Sequence, residues 1–373
     1  MKRRISHILF FLIIIVGILF LGLYSYLNLP KFGQLPTGDL LNTIKQSPHY
    51  INGEFKNYED TAFSSSRSGA ITGIVNYFLT SKDNPAPSAA IPTIKTDLFA
   101  LDINQNTVIW LGHSSYYIQF EGKRILVDPV LSSNASPIPY TNVAFNGTMV
   151  YNADEIPEID FLLITHDHWD HLDYPTIMDL KDKIAHVICP LGVSAHFVYW
   201  GFSKDTLQEA DWNTQLELAN GLSVYILPAQ HYSGRALTRN KTLWAAFALI
   251  SPTYKIYISG DSGYGSHFRQ AGEMFNGFDL AILDSGQYNE RWRHIHMMPE
   301  DAAKAAIDLQ AQAVLPAHIG RFSIAYHAWN DPFIRLAQVS EGQPYRLLTP
   351  KIGEAVVLDD RQQQFSFWWE DIN

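Results

Sequence analysis

Cysteine is almost missing from this chain, which has one cysteine among 373 residues. Cys189 cannot form an internal disulfide, so stability must come from an apolar core rather than from a disulfide framework. The 47% of residues that are hydrophobic are enough to fill such a core. Cys189 lies in the apolar segment 185–189, which predicts a buried strand, and a small core residue is its simplest interpretation.

Positive charge is also scarce. The chain has 27 lysines and arginines against 37 aspartates and glutamates, which gives a formal net charge of −10. Because such a balance repels phosphate backbones, no nucleic-acid partner is expected. Beyond the apolar N-terminus, internal repeats and low-complexity segments are absent. A Gly-x-Ser-x-Gly nucleophile elbow is absent as well, so nothing points to a catalytic serine.

One long apolar stretch is present, at residues 8–27, between three basic residues at 2–4 and the next charge at Lys31. About twenty apolar residues span a bilayer as a helix. An Ala-x-Ala cleavage site is absent, and Tyr24 and Tyr26 suit the bilayer interface, so we expect an uncleaved anchor rather than a signal peptide. The positive charge before it predicts a cytoplasmic N-terminus, with the remaining chain on the periplasmic or extracytoplasmic side.

The most specific signal is the segment His166-Asp167-His168-Trp169-Asp170-His171, which directly follows the apolar run 161–164. Three imidazoles and a separated carboxylate suit two neighbouring transition-metal ions better than a packed core or a solvated loop. As a loop leaving the end of a buried strand, the segment can turn His166 and His168 to one metal and Asp170 and His171 to a second.

Six residues cannot close two metal sites, and later segments supply further candidates at strand ends. His231 follows the strand-like segment 222–227, Asp261 follows 254–260, and His318 follows 313–316. Glycines mark turns beside these positions. The recurrence predicts that separate loops converge on one metal centre.

The remaining pattern predicts an α/β fold in three parts. Strands are expected at 108–111, 116–120 and 124–127, and helices after Pro175 and over 299–310, as two packed sheets flanked by helices require. We expect residues 1–30 to form a cytoplasmic tip and transmembrane anchor. Residues 31–100 are expected to form an extended arm with a short apolar helix at 70–79, packed on the catalytic domain or touching the membrane. The catalytic domain would then span 101–373.

These motifs resemble the metallo-β-lactamase superfamily and, within it, the branch of the N-acylphosphatidylethanolamine-hydrolysing phospholipase D. The resemblance covers about residues 100 to 350, in the family's order. It rests on Trp-Leu-Gly-His-Ser-Ser at 110–115, Val-Asp-Pro at 127–129, the His-rich segment within 165–173, Gly-Asp-Ser-Gly-Tyr at 260–264, His-Met-Met-Pro-Glu at 296–300 and Ala-His-Ile-Gly at 317–320.

The resemblance implies an αββα sandwich with a two-zinc site along one edge, although iron or manganese would accept the same ligands. It implies the metal ligands as follows: His166, His168 and His231 on the first ion, Asp170, His171 and His318 on the second, and Asp261 bridging. Asp170 and His296 are the expected catalytic residues, with His296 donating a proton to the leaving alkoxide or holding a phosphate oxygen. His113 and Asp128 are expected to orient ligands, and Asp284 is a weaker candidate for that role.

The implied function is a membrane-anchored zinc phosphodiesterase that acts on phospholipids and releases phosphatidic acid and an N-acylethanolamine-like alcohol. Gln-His-Tyr at 230–232 replaces the Asn-His-Trp of the eukaryotic enzymes, and the arm before residue 100 matches only loosely. Two alternatives therefore stay open. One is a hydrolase of lactones or of other small cyclic esters and amides, and the other is a non-catalytic, anchored envelope protein with a structural metal site.

Overall fold

Two seven-stranded β-sheets form the centre of the molecule in a computed structural model that describes residues 2–59, 84–219 and 221–372. The helices are α1 (Lys2–Leu27), α2 (Gly38–Ile44), α3 (Tyr174–Asp179), α4 (Ser194–Tyr199), α5 (His267–Phe275), α6 (Pro299–Asp308) and α7 (Asp331–Ser340). The strands are β1 (Tyr50–Ile51), β2 (Glu54–Phe55), β3 (Thr107–Gly112), β4 (Ser115–Phe120), β5 (Lys123–Val127), β6 (Ile159–Leu163), β7 (Ile184–Pro190), β8 (Leu207–Ala210), β9 (Thr214–Ala219), β10 (Leu222–Leu227), β11 (Ala246–Ile250), β12 (Lys255–Ile258), β13 (Leu280–Asp284), β14 (Ala313–Ala317), β15 (Arg346–Leu347) and β16 (Ala355–Val357).

The first sheet has the strand order β16-β3-β4-β5-β6-β7-β8 and the second has the order β15-β14-β13-β12-β11-β10-β9. Side chains alternate between the two faces of a strand. In β3, Val108 and Trp110 join the large core shared with the second sheet, whereas Ile109 and Leu111 join a second core under α3 and α4. Because both faces of this sheet are buried, its central strands read as continuous apolar runs. The expected αββα fold is confirmed.

The strands that carry the expected site residues run in one direction. In the first sheet, β3 and β5 are both antiparallel to β4, and β6 is parallel to β5. In the second sheet, β10 and β12 are both antiparallel to β11, and β13 and β14 are parallel to β12. The carboxyl ends of these strands therefore lie at one edge of each sheet. The His113 backbone N–H donates to the Ile319 carbonyl (3.1 Å) and the His318 N–H donates to the His113 carbonyl (3.2 Å), which joins the two edges.

Helix α1 contains the candidate membrane span His7–Leu27, whose mean hydropathy is 2.8 and whose side chains are not buried against the rest of the protein. The chain that follows packs on the sandwich and buries Phe32, Ile44 and Phe55. It contains α2 and the β1–β2 hairpin, so this arm carries more regular structure than an extended segment. The apolar helix expected at 70–79 lies outside the described residues.

Candidate metal centre

Four expected ligands form one tight group at the shared edge of the sheets. They are His166 Nε2, His168 Nδ1, His231 Nε2 and Asp261 Oδ2. His168 Nδ1 lies 2.9 Å from His166 Nε2 and 3.1 Å from His231 Nε2. Asp261 Oδ2 lies 3.8 Å from His166 Nε2 and 3.6 Å from His231 Nε2. Tetrahedral zinc with bonds of about 2.0–2.1 Å places its ligand atoms about 3.3 Å apart, so the spacing fits one ion.

The other expected ligands form a second group that shares Asp261. His318 Nε2 lies 3.1 Å from Asp170 Oδ2 and 3.4 Å from Asp261 Oδ2. His171 Nε2 lies 3.7 Å from Asp170 Oδ2 and 3.1 Å from Asp261 Oδ1. Asp261 therefore turns one oxygen toward each group, as a bridging ligand would. All seven expected ligands are brought together.

Unpartnered atoms in this cluster show that the residues fit a cation. The His171 Nδ1 hydrogen bonds to Asp128, which leaves Nε2 facing Asp261 Oδ1. Neither His171 Nε2 nor Asp261 Oδ1 has a hydrogen-bond partner among the described residues, although both are buried. The two atoms lie 3.1 Å apart, a spacing at which a single cation could be ligated by both.

Charge also favours metal binding in the first group. Burial, together with neighbouring imidazoles, holds the pKa of His166 and His231 well below the usual range, so both rings are neutral and keep a lone pair. Burial raises the pKa of Asp261, but His171 and His318 more than offset this and hold it well below its usual range. Neutral imidazoles beside an ionised carboxylate are the protonation states that a metal ion requires.

In the second group the neighbouring carboxylates outweigh burial in setting the pKa of the two histidines. Burial lowers the pKa of His318, yet Asp261 and Asp284 raise it to about 10. Burial likewise lowers the pKa of His171, whereas Asp261 and Asp170 raise it well above its usual range. The same negative charge that holds protons on these rings attracts a metal cation, so binding at this group would release protons.

Asp128 is placed to orient one ligand from each group. Its Oδ2 accepts a hydrogen bond from His171 Nδ1 (2.8 Å) and another from the Thr165 hydroxyl (2.6 Å), and its Oδ1 accepts one from the Thr165 N–H (2.8 Å). The Thr165 hydroxyl lies 3.0 Å from His166 Nδ1, so the second nitrogens of His171 and His166 are both held through Asp128. Such outer partners fix the tautomer and orientation of ligand imidazoles.

Asp128→Asn is expected to weaken metal binding by about 10- to 100-fold, because an asparagine has one acceptor oxygen for three donors and no charge to hold the rings. Titration with zinc, followed by metal analysis after dialysis, measures the effect. Asp160→Asn is the matched control, since Asp160 lies in β6 and pairs with Lys123 away from the site. Equal zinc affinity in the two variants would show that Asp128 does not orient the ligands.

His113 also reaches the cluster, with its Nε2 3.0 Å from Asp170 Oδ2. Its ring stands among the candidate metal-binding groups, and burial lowers its pKa to about 4, so it is a neutral donor to the Asp170 carboxylate. The positive backbone φ of 55° at His113 is uncommon for a residue other than glycine, although histidine adopts it more often than most. It follows the end of β3 and turns the chain toward the second sheet.

His296 also falls in a candidate metal-binding group, with Asp261, Asp284 and His318, and its orientation depends on Asp284. Its Nδ1 hydrogen bonds to Asp284 Oδ2 (2.9 Å), and its ring packs against those of His231 and His318 at centroid distances of 4.9 Å. Asp284 Oδ2 also accepts the Ser262 N–H (3.1 Å), and its Oδ1 lies 3.4 Å from His318 Nδ1. Asp284 is thus more central than the sequence indicated. Its position at the end of β13 was the available signal.

Sequence reasoning missed the residues that support the His-rich loop from behind. The Asp167 carboxylate, buried beside the ligands, accepts hydrogen bonds from the Gly234 N–H (2.7 Å) and the Thr242 hydroxyl (2.9 Å) and lies 3.2 Å from His196 Nε2. The buried guanidinium of Arg235 donates to the carbonyls of Asp167 (2.9 Å) and Leu172 (2.6 Å), at the two ends of the loop.

A cavity of about 480 Å³ opens above the metal-binding groups. His168, Asp170, Asp261, His296 and His318 contribute to its lining at the site. The other lining residues are mostly apolar or aromatic, including Trp169, Tyr232, Trp292, Ile295, Ile324 and Tyr326. Arg239 adds a positive charge, with its guanidinium 4.8 Å from the centre of the Tyr232 ring.

Comparisons with known proteins agree with this geometry. The family model described as beta-lactamase superfamily domain matches residues 123–319. An uncharacterized protein of Mycobacterium tuberculosis is 34% identical over 316 residues, which cover 84% of this chain and 85% of that protein. The N-acyl-phosphatidylethanolamine-hydrolyzing phospholipase D 1 of Caenorhabditis elegans is 30% identical over 226 residues, covering 57% of this chain and 63% of that one.

Among solved structures, Igni18, a metallo hydrolase from the archaeon Ignicoccus hospitalis, shares the fold with a TM-score of 0.53 and 21% identity. The match covers 68% of this chain and 97% of that one. The resemblance that the motifs indicated is confirmed. The chain belongs to the beta-lactamase superfamily, as a metal-dependent hydrolase with the metallo-β-lactamase fold.

Proposed function

We propose that this hydrolase is a membrane-anchored, two-zinc phosphodiesterase of the phospholipase D type that acts on N-acylphosphatidylethanolamine-like lipids. The composition of the cavity carries the proposal. Metal-binding groups lie at its base, Arg239 supplies positive charge on its wall, and most of the remaining wall is apolar or aromatic. That arrangement suits a phosphodiester attached to acyl chains. The relative from Caenorhabditis elegans, named for this reaction, supports the substrate class.

The size of the cavity bears on how a lipid would enter. About 480 Å³ falls within the range of sites for small, drug-sized ligands. It would accept the headgroup and the first part of the acyl chains, with the rest of a diacyl lipid extending through the opening.

In this proposal His166, His168, His231, Asp170, His171, His318 and Asp261 hold two cations. A bound cation pair would lower the pKa of water enough to make a hydroxide nucleophile available near neutral pH, and would offset the charge that develops on the phosphate oxygens. Arg239 adds attraction for those oxygens from the cavity wall. His296 faces the cavity and, with Nδ1 held by Asp284, can donate its other proton to the leaving alkoxide.

The membrane part of the proposal rests on helix α1. Its span His7–Leu27 is long and apolar enough to cross a bilayer, and its side chains are not buried against the protein. We propose that α1 is an uncleaved anchor with a cytoplasmic N-terminus and that the hydrolase works on the extracytoplasmic side.

The direct test is to offer zinc-loaded full-length protein N-acylphosphatidylethanolamine in mixed micelles and to analyse the products. Phosphatidic acid and an N-acylethanolamine are expected. The absence of both, together with hydrolysis of a lactone or a β-lactam, would replace the proposal with a carbonyl hydrolase on the same metal centre.

His296→Gln is expected to lower kcat by about 10²- to 10⁴-fold, the contribution typical of one positioned proton donor, with little change in zinc content. A phosphodiester with a nitrophenolate leaving group needs no proton, so the variant should lose far less activity on it. His294→Gln is the matched control, because His294 is exposed two residues away. An equal loss on both substrates would argue against His296 as the proton donor.

A further inference from the structure

We propose that the hydrolase domain is fixed to the end of its anchor, with the mouth of the cavity held against the bilayer and two rim loops, each with exposed apolar side chains, in contact with lipid. The first rim loop is residues 136–143 and the second is residues 236–239. This inference rests on the anchoring part of the proposed function. It adds the face that meets the membrane.

The end of α1 is bound to the first rim loop. The Tyr26 hydroxyl donates to the Pro137 carbonyl (2.5 Å), and the Lys31 ammonium donates to the same carbonyl (2.7 Å). Lys31 also lies 4.5 Å from the centre of the Tyr26 ring. Pro137 lines the cavity. The last turn of the anchor and the rim of the site are therefore in direct contact.

A second set of contacts holds the chain after α1 against the His-rich loop. The Phe32 ring packs edge-on against Trp169 with 5.1 Å between the ring centroids. The Arg235 guanidinium lies 4.1 Å from the centre of the Trp169 ring and donates a hydrogen bond to the Lys31 carbonyl (2.9 Å). The Trp200 indole N–H donates to the Pro30 carbonyl (2.8 Å). Trp169 also lines the cavity. With this many packed contacts, residues 26–34 form a rigid junction rather than a free tether.

The junction limits how far the rim can lie from the lipid. Tyr140 follows Pro137 by three residues, so their Cα atoms are at most about 11 Å apart. The interfacial layer on each side of the hydrocarbon core is about 5–8 Å thick. A rim loop bound to the interfacial end of the anchor can therefore reach this layer.

The composition of the rim fits a lipid surface. Tyr140 is 93% exposed, Ile138 is 53% exposed, and Leu237 in the second rim loop is 81% exposed. No Asp, Glu, Lys, Arg or His occurs between Asp128 and Asp154. Single exposed apolar residues are common, but here they flank a cavity on two loops beside an apolar helix. A bilayer is the partner that the anchor itself would bring to this face.

Site-specific fluorescence can test this orientation, because the single cysteine, Cys189, is fully buried and should not react. Tyr140→Cys and, separately, Leu237→Cys would be labelled with an environment-sensitive dye in full-length protein reconstituted into phosphatidylcholine–phosphatidylglycerol liposomes. Ile307→Cys is the matched control. Ile307 is also exposed and apolar, but it lies at the end of α6, from which the chain turns to enter β14 at the edge opposite the site.

Dyes at 140 and 237 are expected to emit at shorter wavelength than the dye at 307, because they would lie in a less polar environment. Lipids that carry a quencher in the acyl chain should quench the dyes at 140 and 237 at least about twofold more strongly than the dye at 307. Protein that co-floats with liposomes while its labels at 140 and 237 behave like the label at 307 would overturn the orientation and leave the anchor intact. Protein that does not co-float would overturn the anchor itself. The readout is independent of lipid hydrolysis, so it separates this inference from the substrate proposal.

Discussion

Asp261→Asn is expected to reduce turnover by more than about 100-fold, because replacing an outer partner of a ligand already costs up to that factor and Asp261 faces both metal-binding groups directly. One oxygen lies 3.6 Å from His231 Nε2, and the other lies 3.1 Å from His171 Nε2. Asparagine keeps the shape but offers one acceptor oxygen and no charge. The zinc content should fall below that of the unaltered protein.

The measurement combines kinetics on a phosphodiester with metal analysis of the dialysed protein. Asp279→Asn is the control, since Asp279 directly precedes β13 at the edge opposite the site, where its carboxylate accepts the Lys255 N–H. That variant should keep its zinc and its activity. If Asp261→Asn retained both as well, Asp261 would not bridge the two groups.

The site could be largely assembled from sequence because each ligand obeys a local rule. His231, Asp261 and His318 all come just after apolar strands, and the β-strands that carry them run in one direction. The rule also applies to Asp284, which ends β13, but the sequence around it lacks a second histidine or a distinctive motif. Its hydrogen bond to His296 becomes visible only in the fold.

The fold was predictable where burial is strongest. The central strands β3 to β6 are apolar on both faces and stand out in the sequence, whereas β15 and β16 are two- and three-residue edge strands with no periodicity to detect. The contacts of the junction at residues 26–34 could not be predicted from the sequence for another reason. The Lys31 carbonyl and Arg235 are 204 residues apart, and neither position has a pattern that indicates the other.

Arg235→Met is expected to lower the free energy of unfolding by about 3 kcal/mol or more, because it leaves the carbonyls of Lys31, Asp167 and Leu172 without their donor and each buried unpaired group costs about 1–3 kcal/mol. Methionine keeps the apolar stem of the side chain but lacks the guanidinium, so the loss reports on its hydrogen bonds, its charge and its contact with Trp169. With an unfolding entropy of about 2.1 cal/mol/K per residue, about 3 kcal/mol corresponds to a decrease in Tm of roughly 4–6 °C for a domain of this size.

Thermal unfolding of the full-length protein in detergent measures this change, and zinc titration adds a second readout. Because Arg235 binds both ends of the His-rich loop, zinc affinity should fall with stability. Arg235→Lys should recover little, since a single ammonium cannot replace a fork of donors. Arg269→Met is the matched control: the Arg269 side chain is 62% exposed beside Asp308, so its loss should change stability by no more than about 0.5 kcal/mol. Similar Tm values for the two methionine variants would mean that the guanidinium of Arg235 does not hold the loop to the junction.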